Sequence, residues 1–226
     1  MPHPLLSDIR VAPSILAADF ARLGEQVETV MDAGARVIHV DVMDGHFVPP
    51  ISIGAIVVDA LRDLVHERDG VLDVHLMVER PEFRVEQFAA AGADTLIVHW
   101  EATPHVHYAL KAVREAGLHT ALAINPATPP EAILGLAEMF DHLLCMTVNP
   151  GWGGQPYIET STAKVARLRE LLGPAAPIEV DGGIDADTAG ATSAAGATLF
   201  VAGSSIFGAR DPAAAYREIA AAAGAV

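Results

Sequence analysis

The sequence repeats one kind of unit, a short and almost wholly apolar run followed by a longer segment with helical spacing of apolar residues. Short apolar runs without polar alternation are typical of strands buried on both faces, as in parallel sheets covered by helices. Eight such units close naturally into a (β/α)8 TIM barrel. The runs predict strands at 10–15, 36–42, 71–77, 95–99, 119–124, 142–148, 177–181 and 198–202.

Helices are predicted between several of these strands, at 19–31, 81–91, 104–116, 160–172 and 185–195. Asp19, Thr103 with Pro104, and Asp185 are suitable helix starters. Glycine within 32–35, 91–93, 115–117 and 194–197 stands where a helix would end, since it adopts the left-handed conformation easily. An open doubly wound sheet is the alternative, but the early Gly-x-Gly-x-x-Gly turn that it would need for a dinucleotide is missing.

Length and charge narrow the class of protein. The 226 residues, 51% of them apolar, suit a single barrel domain over 1–226. The net charge of −15, with only 14 Lys and Arg and no basic cluster, argues against nucleic acid or an anionic membrane as a partner. An anionic substrate would therefore have to be bound by local groups.

Cysteine content and the first residues bear on the compartment. Cys145 is the only cysteine and lies in an apolar run, so we expect a buried small hydrophobe, no intrachain disulfide and a reducing compartment. Residues 1–8 lack the basic start and apolar core of a signal peptide. The longest uncharged stretch, 188–209, is too rich in glycine and hydroxyl groups for a membrane span. A cytoplasmic protein is expected.

Side chains able to bind a metal ion interrupt three of the apolar strands. Because side chains alternate across a strand, His39, Asp41 and Met43 share one face of the second strand. His75 lies on the third strand and Asp181 ends the seventh, so a barrel would bring all four polar groups to one rim. A lone histidine here would more simply be a hydrogen-bonded strand-end residue. Two imidazoles and two carboxylates together predict a site for one divalent ion, Zn²⁺, Mn²⁺ or Fe²⁺.

The two aspartates suggest acid–base chemistry. Asp41 and Asp181, on strands two and seven, could approach a bound substrate from opposite faces, one removing a carbon-bound proton and the other returning one. The metal ion would stabilise the enediolate formed between these steps. Such a transfer needs one aspartate protonated while the other is charged, and close like charges favour that division.

Three glycine-containing segments, 149–154, 181–183 and 201–206, follow strands six, seven and eight, the last ahead of a possible short helix. Any one could be a simple turn, but backbone N–H groups at three adjacent strand ends predict a phosphate cradle. Met43, Met77 and Met146 close strands two, three and six and could be core filler or could shield a reacting sugar from water. Ser14 could hydrogen-bond a substrate oxygen or cap a turn.

Six long segments in order give the chain a close resemblance to the ribulose-phosphate 3-epimerase family, nearly end to end. They are 12–20 (APSILAADF), 39–49 (HVDVMDGHFVP), 73–77 (DVHLM), 148–155 (VNPGWGGQ), 179–183 (EVDGG) and 202–207 (AGSSIF). The resemblance implies a barrel of the ribulose-phosphate binding type. It also implies interconversion of D-ribulose 5-phosphate and D-xylulose 5-phosphate in the pentose phosphate pathway, and an assembly of two or more copies.

The resemblance further implies roles for individual residues. His39, Asp41, His75 and Asp181 would bind one divalent metal ion, with Asp41 as the proton acceptor and Asp181 as the donor. Ser14 and His75 would contact the substrate, and residues matching the three methionines line the family's pocket. The phosphate would lie among Gly153, Gly154, Gly182, Gly183, Gly203 and Ser204, and we also expect Gly151 and Trp152 of the same loop to contact the substrate.

Two residues depart from the pattern: Pro50 stands where the family commonly has Asn, and Trp152 where it commonly has Phe. They leave substrate preference more open than reaction type. One alternative is a sister epimerase acting on a ketohexose 6-phosphate such as allulose 6-phosphate. A phosphate-barrel decarboxylase would need a lysine that the segment Asp41–Asp44 lacks. A non-catalytic barrel that only binds a sugar phosphate should have lost a base or ligand, and none is missing.

Overall fold

A computed structural model of the chain describes residues 4–225 and confirms the barrel. Eight parallel strands pair in the order β1-β8-β7-β6-β5-β4-β3-β2, and a parallel bridge from Ser14 to His39 joins the first strand to the second. Residues 1–3 and 226 of the expected domain lie outside the described residues. The strands are β1 Arg10–Pro13, β2 Val37–Met43, β3 Val71–Met77, β4 Thr95–His99, β5 His119–Ile124, β6 His142–Met146, β7 Ile178–Asp181 and β8 Leu199–Ala202.

The predicted strand bounds agree fully for β3, β4 and β5 and are one or two residues out for the others. β1 is two residues shorter than expected at its end. The Ser14 hydroxyl accepts the N–H of Leu16 and starts a 3-10 turn over Ile15–Ala17, which ends the strand at Pro13. β6 likewise ends at Met146 instead of residue 148.

Helices cover the outside of the sheet. They are α1 Pro4–Ser7, α2 Leu23–Asp32, α3 Ala55–His66, α4 Val85–Ala91, α5 Val106–Glu115, α6 Thr160–Leu172, α7 Ala186–Ala194, α8 Ser204–Phe207 and α9 Pro212–Ala223. The segments predicted above did not include α3 or α9. Between β5 and β6 the chain forms a 3-10 helix, Pro130–Leu136, in place of an α-helix.

Helix starts were predicted with mixed success. Asp185 caps α7 in a capping box with Thr188, as expected. Asp19 caps a 3-10 turn, Phe20–Arg22, that precedes α2, so the helix begins later than the predicted residue 19. Thr103 does not cap α5, because the N-cap position is His105, two residues later, and the Thr103 hydroxyl accepts the N–H of that residue instead of one inside the helix. The expected helix ends are confirmed, for example at Gly92, which closes α4 with a φ of 94°.

The alternation predicted for β2 is confirmed. Val40 and Val42 belong to the large apolar core between sheet and helices, whereas His39 and Asp41 lie among the polar groups inside the barrel. Cys145 is buried in that outer core and free, as predicted. Leu6 of α1 closes the other end of the barrel, where it belongs to an apolar cluster with Ala12, Val37, Leu199 and Val201. Among residues 4–225, no helix is long and apolar enough to cross a membrane.

Candidate active site

Four polar side chains predicted from the sequence meet at the C-terminal ends of the strands. His39 and Asp41 come from β2, His75 from β3 and Asp181 from the last residue of β7, and one ligand atom of each lies within 4.8 Å of all the others. Asp41 Oδ1 is 3.3 Å from His39 Nε2 and 3.1 Å from His75 Nδ1, and Asp181 Oδ2 is 3.6 Å from His75 Nδ1. The cluster could hold a metal ion.

The orientation of His39 is set by carboxylates below it. Its Nδ1 is 2.8 Å from Asp73 Oδ2 and 3.3 Å from Glu179 Oε1. Both neighbours accept, so the neutral ring keeps its proton on Nδ1 and its lone pair on Nε2. That Nε2 is buried, points towards Asp41 and makes no hydrogen bond among the described residues. An orphaned buried lone pair beside a carboxylate fits a metal ligand supported by an outer carboxylate.

His39, Asp73 and Glu179 also lie close enough together to hold an ion by themselves. Their contacts are better explained as hydrogen bonding that supports the site. Glu179 Oε2 is 3.0 Å from His142 Nε2, and the hydrogen bonds from His142 and His39 outweigh burial and lower the pKa of Glu179. Burial and the charge of Glu179 raise the pKa of Asp73 to about 6.

The two aspartates of the cluster have pKa values displaced in opposite directions. Burial acts to raise the pKa of Asp41, but the charge and hydrogen bonding of His39 and the hydrogen bond of His75 hold it well below its ordinary value. Burial and the nearby charge of Asp41 raise the pKa of Asp181 well above its ordinary value. The pKa of His39 is raised despite burial, chiefly by the charge of Asp41. The surroundings therefore favour the charged form of Asp41 and the protonated form of Asp181.

Ser14 has a role that the sequence did not specify. Its hydroxyl donates to Asp41 Oδ2 at 2.5 Å and also accepts the N–H of Leu16. The turn-capping alternative is thus confirmed, and the same side chain holds the second oxygen of Asp41. Because Ser14 also lines the cavity described below, it fixes the carboxylate at the cavity wall.

Behind His75 lie two groups that the sequence reasoning missed. His75 Nε2 is 2.8 Å from His99 Nε2 at the end of β4, and His99 Nδ1 is 3.2 Å from Glu101 Oε2. Both rings are fully buried, and burial lowers the pKa of His99 to about 4. Burial acts to raise the pKa of Glu101, but its hydrogen bonds, first that with His99, lower it. The sequence did offer one signal for these groups, namely that His99 is a polar residue at the end of a fourth strand.

A cavity of about 230 Å³ opens directly above the cluster. Asp41 and Asp181 reach its wall, whereas His39 and His75 are fully buried beneath it. The contact predicted between His75 and the substrate stays a prediction. Other predicted substrate or pocket residues line the cavity: Ser14, Met43, Met77, Met146, Gly151, Trp152, Gly153, Gly154, Gly182, Gly183, Gly203 and Ser204.

Glycine is required where the chain passes closest to its neighbours. Gly182 and Gly183 have φ of 115° and 67°. A Cβ on Gly183 would lie 2.5 Å from the backbone nitrogen of Tyr157, and one on Gly182 would lie 2.2 Å from a Val148 methyl carbon. The turn after β7 therefore needs two glycines to pass beside the cavity. Ser204 begins α8, the short helix expected after β8.

The two departures from the family pattern lie on the loops beside the cavity. Trp152 lines its mouth and remains 55% exposed. Pro50 accepts the N–H of Gly45 through its carbonyl, and its ring lies next to Gly151. Both departures therefore lie on the loops over the cavity.

The barrel and its rim of two carboxylates, two imidazoles and glycine turns are typical of a barrel enzyme with its active site at the C-terminal ends of the strands. The model of the ribulose-phosphate 3 epimerase family matches residues 10–207. A ribulose-phosphate 3-epimerase of Rhodobacter capsulatus is 49% identical over 88% of this chain and 86% of its own length. One of Bacillus subtilis (strain 168) is 45% identical over 93% of this chain and 98% of its own.

The chain belongs to the ribulose-phosphate 3-epimerase family and is an isomerase of the epimerase kind. Solved structures also confirm the barrel. The 3-hexulose-6-phosphate synthase from Salmonella typhimurium has a TM-score of 0.72 with 18% identity, over 95% of this chain and 98% of that one. At such identity the likeness concerns the fold alone.

Proposed function

We propose that this enzyme interconverts D-ribulose 5-phosphate and D-xylulose 5-phosphate by moving the proton on C3 between two carboxylates. The observation that carries the proposal is the pair Asp41 and Asp181, which line one cavity with pKa values displaced in opposite directions. The relatives, named for ribulose phosphate, support the substrate class. A ketohexose phosphate and a decarboxylation receive no support from these names.

Asp41 takes the proton from C3 on one face of the substrate, and Asp181 delivers one to the other face. The roles exchange in the reverse direction. A base must be charged before the reaction and an acid protonated, and the opposite pKa displacements provide both in one site. The Ser14 hydroxyl occupies Oδ2 of Asp41, which orients the carboxylate towards the cavity.

His39 Nε2, His75 Nδ1, Asp41 and Asp181 would hold one divalent ion, Zn²⁺, Fe²⁺ or Mn²⁺. When bound, the ion supplies Lewis-acid stabilisation of the negative charge on the substrate oxygens during enolisation. The orphaned Nε2 of His39 and the mixed nitrogen and oxygen donors support this assignment. The three methionines around the cavity, Met43, Met77 and Met146, exclude water from the intermediate.

The phosphate is bound by Gly153, Gly154, Gly182, Gly183, Gly203 and Ser204. Backbone N–H groups of such turns attract an anion without a basic side chain. This matters in a chain with a net charge of −15, where no lysine or arginine lines the cavity among the described residues. Gly151 and Trp152 lie on the same loop and line the cavity.

Solvent exchange tests the mechanism. The metal-loaded enzyme is incubated with ribulose 5-phosphate in D₂O, and the product is analysed by NMR and mass spectrometry. We expect one deuterium at C3 of xylulose 5-phosphate, because the proton returned by the second carboxylate comes from a group that exchanges with solvent. Epimerisation with full retention of the original C3 hydrogen would contradict the two-base scheme. A parallel incubation without enzyme corrects for spontaneous exchange.

A further inference from the structure

His75 belongs to a chain of side chains that runs from the metal-capable cluster to the surface. Its Nδ1 is 3.1 Å from Asp41 Oδ1, and its Nε2 is 2.8 Å from His99 Nε2. His99 Nδ1 is 3.2 Å from Glu101 Oε2, and the Glu101 side chain keeps 23% of its accessible surface. Each of the three contacts needs one proton, so the protons along the chain depend on each other.

The number of protons on the two imidazoles does not match the number of contacts that need one. Two neutral imidazoles carry two protons, whereas the contacts Asp41 to His75, His75 to His99 and His99 to Glu101 need three. The carboxylates at both ends can only accept, so neutral rings leave one pair of acceptors facing each other. A metal ion bound to Nδ1 of His75 removes the conflict, because Nδ1 then offers its lone pair to the ion and needs no proton. The two imidazole protons then form the hydrogen bonds of the other two contacts.

We propose that Glu101 is a positioning residue that acts through His99 and holds His75 in the tautomer with its proton on Nε2 and its lone pair on Nδ1, open to the metal ion. Glu101 accepts the proton of His99 Nδ1, His99 Nε2 is then an acceptor, and His75 Nε2 must donate to it. The inference rests on the proposed function, since it assigns His75 as a metal ligand.

The hydrogen bonds of the other carboxylate oxygen of Glu101 fix the direction in which protons are donated along this relay, the chain of contacts from Glu101 through His99 to His75. Its Oε1 accepts the backbone N–H of Asn125 at 2.9 Å and also the hydroxyl of Thr128. A backbone N–H cannot turn into an acceptor, so a glutamine at position 101 must keep its carbonyl oxygen there and turn its NH₂ group towards His99. His99 would then accept on Nδ1 and donate from Nε2. His75 would accept on Nε2 and carry its proton on Nδ1, where the metal ion should bind.

The test is the affinity for Zn²⁺, measured by competition with a chromophoric chelator, in the wild type, Glu101→Gln and Glu101→Ala. We expect Glu101→Gln to bind Zn²⁺ about 10- to 100-fold more weakly, the usual cost of losing an outer partner of a metal-binding histidine. Glu101→Ala should lose less affinity, because it leaves His99 free to choose either tautomer. A residue that only supported the fold would give the opposite order, since alanine removes every hydrogen bond of the side chain.

The tautomers are read directly by long-range ¹⁵N–¹H NMR of the Zn²⁺-loaded wild type, where we expect protons on His75 Nε2 and His99 Nδ1. Glu79→Gln, at an exposed carboxylate beside the same surface groove, is the matched control and should bind Zn²⁺ like the wild type. Melting temperatures check that all variants fold. Equal Zn²⁺ affinity in wild type and Glu101→Gln, or a proton on His75 Nδ1, would overturn the relay alone. A wild type that binds no Zn²⁺ would overturn the proposed metal site as well.

Discussion

The two ends of the barrel interior differ in how fully their groups are satisfied. From the middle of the strands to their C-terminal ends, buried ionisable groups crowd together, and His39 Nε2 and Asp73 Oδ1 make no hydrogen bond among the described residues. The opposite end is closed by aliphatic packing around Leu6 of α1. Buried polar atoms without partners each cost roughly 1–3 kcal/mol, so the reactive end is a stability burden that the apolar end offsets. Substitutions at the two ends should have opposite consequences.

The largest effect is expected at the reactive end. Asp41→Asn and Asp181→Asn should each lower kcat by about 10³-fold, because an amide neither accepts nor delivers the C3 proton. Stability should not fall in Asp181→Asn. A carboxyl whose pKa is raised by folding destabilises the folded state at any pH above its unfolded value, and asparagine removes that penalty.

Turnover of ribulose 5-phosphate and thermal melting are measured on the same preparations. Wild-type turnover in Asp41→Asn would mean that another group is the base, and wild-type turnover in Asp181→Asn would remove the assigned donor. A large loss of melting temperature in Asp181→Asn would contradict the contrast between the two ends.

The apolar end should behave in the reverse way. Leu6 is fully buried, and Leu6→Ala should cost about 2–3 kcal/mol of unfolding free energy, or a melting temperature lower by about 5–10 °C. The kcat/KM at 25 °C should stay at the wild-type value, because the apolar cluster of Leu6 contains none of the ionisable groups of the site. Leu134→Ala, at a leucine that is 51% exposed, is the matched control and should change stability by less than about 0.5 kcal/mol. A loss of activity in folded Leu6→Ala would show that the two ends are coupled.

Competition between protons and Zn²⁺ for the same ligand atoms should give a smaller effect, a graded dependence of Zn²⁺ affinity on pH. The ion must displace a proton from His39, whose pKa is raised, so protons compete at a higher pH than for an ordinary histidine. Zn²⁺ affinity should therefore fall as the pH drops through that raised pKa, by about tenfold per pH unit for each proton released. The pKa of Asp181 is also raised, so its carboxyl releases a second proton when the ion binds and makes the slope of affinity against pH steeper.

Chelator competition at a series of pH values measures this slope. Asp181→Asn should reduce it by about one proton, since the amide has none to release. An affinity for Zn²⁺ that does not change with pH would contradict the assignment of His39 and Asp181 as ligands that bind protons in the absence of the ion.

The fold was predictable wherever a strand is apolar on both faces, as in the interior of β4, because burial alone then sets its bounds. It was less predictable where a side chain competes with the backbone, as Ser14 does at the end of β1. Between β5 and β6, where no helical segment was predicted, the chain forms a 3-10 segment that begins at Pro130, a position that tolerates proline because first-turn N–H groups have no partner inside the helix.

The candidate site was predictable in its first layer and not in its second. His39 and Asp41 alternate on one strand, and a barrel brings His75 and Asp181 to the same rim, so residue type and position sufficed. His99 and Glu101 each look like an ordinary strand-end residue. Their roles depend on which nitrogen faces which oxygen, and only the three-dimensional structure shows that.

The smallest effect is expected at the loops over the cavity, which belong to neither end. Trp152→Phe restores the residue that the family resemblance implies, keeps an aromatic ring at the mouth, and alters a side chain that is already 55% exposed. KM for ribulose 5-phosphate should change by less than about threefold and kcat hardly at all, since well under about 1.4 kcal/mol of contact is lost. Trp152→Ala is the comparison variant and should raise KM further. If Trp152→Phe instead lowered kcat about tenfold, the loop would take part in aligning the substrate between Asp41 and Asp181. The reactive end of the barrel would then extend beyond the strand ends.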